Sequence, residues 1–90
     1  MNHRTRIDVL PIQEAVASAS PSAWRDGLVT TSGPGVVSLA LLDGGAYAVT
    51  TRAAPEPGEP VAIHPVAELI AVGDTWFAAR RRDDNGPADS

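Results

Sequence analysis

From Gly35 to Arg80 the chain repeats one pattern: a short run of aliphatic or β-branched residues, then a break carrying glycine or proline. Runs of that length and composition, so punctuated, predict a small fold made of hairpins. Val36 to Leu42 (VVSLALL) precedes Asp43-Gly44-Gly45, after which Ala46 to Arg52 resumes with Tyr47, Val49 and Thr51 on one face. Glycine supplies the positive φ that tight hairpin loops demand. A second hairpin runs from Glu68–Val72 through Gly73-Asp74 into Thr75–Arg80, with glycine first in the turn as a II′ geometry prefers. Leu28–Ser32 and the turn Ser32-Gly33-Pro34-Gly35 add a strand ahead of Val36. Pro55, Pro57 and Pro60 have no N–H to give to a ladder, so residues 55–60 read as a stiff surface loop delivering the short strand Val61–His64.

The expected fold is therefore mainly β: a small β-barrel of five or six short antiparallel strands with one short N-terminal helix. Pro11 suits the first position of that helix, which spans residues 12–19 and aligns Ile12, Ala15, Val16 and Ala19 on one face. Ser20-Pro21-Ser22 ends it, and Trp24 leads into the first barrel strand. Residues 1–11 read as a polar arm, with Ile7–Leu10 extended, and residues 12–82 as a single domain. The terminal stretch 83–90 (DDNGPADS) has no apolar anchor and reads as a disordered tail.

Ninety residues support one domain with a modest core that gains from oligomerisation. Only four residues are aromatic, so packing rests on Val, Leu, Ile and Ala. The absence of cysteine rules out disulfides and thiolate metal sites. No apolar stretch approaches the length of a membrane span and no signal peptide opens the chain, which places it by expectation in the cytoplasm. A net charge of −4 argues against nucleic acid as a partner, since that binding neutralises phosphates with a basic surface. All seven cations are Arg, which with abundant Ala, Gly, Pro and Asp fits the coding bias of a high-GC bacterium. Arg80-Arg81-Arg82 is followed at once by Asp83-Asp84 and reads as a solvated strand end.

No constellation for chemistry emerges. His3 and His64 lie far apart, without the converging ligands a metal needs, and His64 before Pro65 reads as a surface or hydrogen-bonded structural residue. There is no Gly-x-Ser-x-Gly elbow for a nucleophile. Thr30-Thr31-Ser32 beside Gly33 and Gly35 lacks the Lys of a phosphate loop. Glu56 and Glu59 flank a Pro-Gly turn, and Asp43 and Asp74 occupy turns where Asp is favoured for backbone reasons. The sequence thus predicts no catalytic residue, no metal and no cofactor. Its aromatic residues point instead to surface burial. Trp76 and Phe77 alternate on one strand, so one ring faces the core and the other an opposite surface, and aromatic side chains dominate interface hot spots. The expected partner interface, for another protein or for self-association, comprises Ile12, Val16, Trp24, Trp76 and Phe77.

The stretch Val37-x-Leu39-x-Leu41-x-Asp43-Gly44, then Ala48-Val49, Pro57-Gly58-Glu59-x-Val61-x-Ile63-x-Pro65 and Glu68-x-Ile70-x-Val72 resembles the TOBE-type small barrels, which share their punctuation with OB- and SH3-like barrels. The resemblance implies either an appendage of a transporter ATPase or a free-standing oligomer that binds molybdate-like oxyanions. In the latter case it implies a ligand site at Ser22, Arg25, Thr50 and Thr51. Asp26, next to Arg25, departs from that pattern and sets a carboxylate beside the anion.

Overall fold

A computed structural model describes residues 5–82 and contains seven strands and one α-helix. In chain order these are β1 (Thr5–Ile7), α1 (Pro11–Ala19), a 3-10 turn (Pro21–Ala23), β2 (Arg25–Gly33), β3 (Val36–Leu41), β4 (Gly45–Thr51), β5 (Pro60–His64), β6 (Leu69–Val72) and β7 (Thr75–Arg81). The expectations for residues 1–4, His3 among them, and for the tail at 83–90 lie outside the described residues.

Six strands close an antiparallel barrel in the order β2–β3–β4–β7–β6–β5, with β5 pairing back onto β2. Barrel closure leaves those strands few open edges, the arrangement a small β fold needs to avoid edge-to-edge association. β1 joins in parallel to β7, matching Thr5 to Thr75 and Ile7 to Phe77. One edge of β7 thus serves β1 beside Thr75–Phe77 and β4 beside Ala79–Arg81, while the other carries β6. The extended arm expected at Ile7–Leu10 accordingly forms two residues earlier, and Asp8, at φ 62, turns the chain toward α1.

Strand parity fixes what each side chain meets. Val29, Val37, Leu39, Leu41, Val49 and Ile70 are among the residues buried in the barrel interior, with Phe77 and Tyr47 packed against them. β2 bends at a bulge between Val29 and Thr31, so its first half pairs with β5 and its whole length serves β3. At Gly27 a Cβ would stand 2.9 Å from the Ala40 carbonyl oxygen, which requires glycine where β2 and β3 approach. The proline loop is less superficial than its composition suggests. Ala53 joins the core and Pro55 is buried, while Gly58 N–H donates to the Val29 carbonyl at 2.7 Å.

A second, smaller cluster lies on the outside of the β6–β7 wall. Ala17, Ala67 and Leu69 are buried there, with Val16, Trp24 and Trp76 packed around them. Leu69 opposes Ala78 on the outer side of the wall, whereas Ile70 opposes Phe77 on the inner side. The barrel interior thus packs on the inner face of this hairpin, and α1 covers the outer face around Leu69.

Candidate functional site

Trp76 and Phe77 do diverge to opposite faces, but neither ring ends on open surface. Phe77 packs against the barrel core and Trp76 against the outer cluster that α1 completes, both half-buried, while Ile12 of the expected interface stays exposed. Trp24 joins the same cluster, itself half-buried: its ring centroid lies 5.1 Å from His64, edge-on, and 5.2 Å from Trp76. Such pairs add about 0.5–1.5 kcal/mol beyond the area they bury.

The helix also sits rotated from the orientation its apolar pattern suggests. Ala17 is buried and Gln13 and Val16 half-buried, whereas Ile12, Ala15 and Ala19 face outward. Two polar side chains impose this. Gln13 Nε2 donates to the carbonyls of Ala67 (3.1 Å) and Glu68 (3.0 Å), while its Oε1 accepts from Leu10 N–H at 2.8 Å. His64, fully buried, accepts at Nδ1 from Ala67 N–H (3.0 Å) and lies with Nε2 2.8 Å from the Ser20 carbonyl. Since the amide can only donate, the ring proton belongs on Nε2, which donates to Ser20. Both residues clamp α1 and the following turn to the β5–β6 connection, so His64 is a structural residue.

The residues implied for an oxyanion do not come together. Ser22 and Arg25 line one depression of about 610 Å³, but neither Thr50 nor Thr51 reaches it. Thr50 is exposed on β4, opposite Val36 and Arg80, and Thr51 is buried with its Oγ1 accepting from Ala53 N–H at 3.2 Å. Arg25 is held by Asp43 at 2.6 Å, and Asp26 adds a carboxylate to the same wall. Among the described residues no group of three or more His, Asp or Glu gathers as a metal-ligand set.

What the depression does offer is apolar surface. Its rim carries Leu42 and Val66, exposed at 68% and 66%, with Trp24 and Pro65 beneath. It adjoins a second depression of about 420 Å³, and the two share Asp26 and Leu42. That second hollow runs over the outer side of β2, β5 and β6, where Leu28, Pro60, Ala62 and Ala71 lie. Leu42 is fixed beside β2 by its N–H, which donates to the Asp26 carbonyl at 2.9 Å.

Sequence reasoning missed this strip, although signals for it exist. Leu42 follows Leu41 and breaks the inward alternation of Val37, Leu39 and Leu41; Leu28 stands next to inward Val29 in the same way; Val66 is a bulky aliphatic residue inside a turn. Comparison with models of known protein families, with curated proteins and with solved structures finds no match for this chain. The fold and its surface chemistry carry the functional argument alone.

Proposed function

We propose that this chain is a non-catalytic protein-interaction module that docks through the outer wall of β2 and β5, around Leu42. One comparison within the molecule carries this reading. α1 covers the outer face of the β6–β7 hairpin around Leu69, and the outer end of β5 at His64 is buried with it, whereas farther along the outer side of β2, β5 and β6, at Leu28, Pro60, Ala62 and Ala71, the wall forms an open hollow that none of the described residues fills. Leu28, Leu42 and Val66 form a continuous strip there, and contiguous exposed apolar surface of this kind marks interaction sites in soluble domains. The mechanism is burial of that strip, with Trp24 as a rigid floor and the charges at its edge setting orientation.

The oxyanion reading retains only Ser22 and Arg25, and Asp43 and Asp26 oppose an anion beside them. Docking through the strip is tested by Leu42→Asp. Because Leu42 is exposed, the variant should keep its Tm within about 4 °C of the parent. Immobilised parent chain should retain a protein ligand that the immobilised variant does not. Equal retention by both would remove the proposal.

A further inference from the structure

The attachment of α1 depends on a single proton. Nε2 of His64 donates it to the Ser20 carbonyl at 2.8 Å, and Nδ1, left with its lone pair, accepts the Ala67 N–H at 3.0 Å. The ring is fully buried, with Trp24 edge-on beside it. A second proton would have to sit on Nδ1, where the Ala67 N–H already points, so this arrangement exists only with a neutral ring. Charging the ring in place would also hold a cation away from water.

The surroundings supply no counter-charge to the ring. The ionisable side chains on the elements near it are Glu14 on α1, Arg25 and Asp26 on β2, Glu68 in the β5–β6 connection, and Arg80 and Arg81 on β7. Glu14 is bonded to Arg6, and Arg25 to Asp43. Glu68 bonds His64 through its backbone N–H, which donates to the His64 carbonyl at 2.8 Å. Among the described residues no carboxylate is hydrogen-bonded or ion-paired to the imidazole. What the ring fastens is the end of the helix, since Ser20 N–H donates to the Val16 carbonyl at 3.0 Å. With that end held, Ala17 packs on Ala67 and Leu69, and Leu10 and Ile12 are left 60% and 65% exposed.

We infer that His64 is a proton-operated latch: uptake of a proton by its ring frees Ser20 and Ala67 and releases α1 from the β6–β7 wall, uncovering Ala67 and Leu69. Release brings the ring into water, where an imidazole takes up a proton at about pH 6.5. The attachment is therefore at full strength above that pH and weakens as the pH falls through and below it, because release binds one proton that the latched state excludes. Each further pH unit multiplies the released population about tenfold.

The experiment is amide hydrogen exchange on the full chain at about pH 7.5 and about pH 5, with each rate divided by its intrinsic chemical rate so that protection is compared. In the parent, protection over residues 14–20 should fall about 30-fold between the two conditions while β3 and β4 keep theirs. His64→Gln, whose amide does not titrate, should show the same protection over residues 14–20 at both. A parent without the fall, an equal fall in His64→Gln, or a fall shared by β3 and β4 overturns the latch. If His64→Gln does not fold, nitrogen NMR shifts of the His64 ring in the parent decide without a variant. The ring should stay neutral, with its proton on Nε2, for as long as residues 14–20 are protected, and a charged ring beneath a protected helix overturns the latch.

Discussion

His64 shows how one polar residue decides the shape of a surface. It is fully buried, and its two ring nitrogens satisfy the Ser20 carbonyl and the Ala67 N–H, which belong to different elements. Replacing it by Leu keeps a comparable volume but strands the Ala67 N–H and leaves the Ser20 carbonyl with only the Ala23 N–H at 3.0 Å, and a buried unsatisfied group costs about 1–3 kcal/mol. His64→Leu should therefore lower unfolding stability by about 1–3 kcal/mol, read as a fall in the urea midpoint with little change in slope. A loss below about 0.5 kcal/mol would mean the bonds do not hold the turn. The residue's place before Pro65 announced a structural role, but its two partners lie 44 and 3 positions away, and only the folded chain reveals the longer link.

At the level of elements, α1 depends on what it touches. Nine residues are too few to hold a helix in water without tertiary contacts. Its exposed ion pair, Arg6 with Glu14 at 2.8 Å, contributes about 1 kcal/mol at most. Gln13 supplies the specific attachment, so Gln13→Ala should loosen α1 by about 1–2 kcal/mol. Amide exchange should accelerate over residues 14–20 while β3 and β4 stay protected; uniform acceleration across the barrel would contradict this. The strands were legible because the apolar runs alternate and glycine or proline marks each break, and the helix because Pro11 opens it. Its rotation was not legible, since Ile12, Ala15, Val16 and Ala19 form a good apolar face and nothing local says that Gln13 turns inward to meet carbonyls some 54 residues on. The parallel pairing of β1 was equally hidden, because three residues carry too little pattern to select a partner strand. The docking strip was legible only as exceptions to alternation, at Leu41-Leu42 and Leu28-Val29, and an exception to a period of two has meaning once the inward face is known.

For the whole molecule the question is whether the barrel and the helix-side cluster unfold together. Both tryptophans lie in the outer cluster and none lies in the barrel, so tryptophan fluorescence reports the docking of α1 whereas far-UV circular dichroism is dominated by the barrel strands. The two clusters share a wall. Leu69 and Ile70 are neighbours on β6 and enter opposite clusters, as do Trp76 and Phe77 on β7, so undocking the helix exposes the back of strands that the barrel needs. That coupling predicts coincident fluorescence and dichroism transitions in urea for the parent chain. The outer cluster is small, however, and its attachment is concentrated in Gln13 and His64. With both removed in Gln13→Ala/His64→Leu, the fluorescence midpoint should fall below the dichroism midpoint, because the barrel keeps its ten buried residues and its closed ladder. Coincident transitions in the double variant would show that the apolar contacts of Trp24 and Trp76 alone fasten the helix. The polar clamp would then have no hold on how Leu10 and Ile12 are presented.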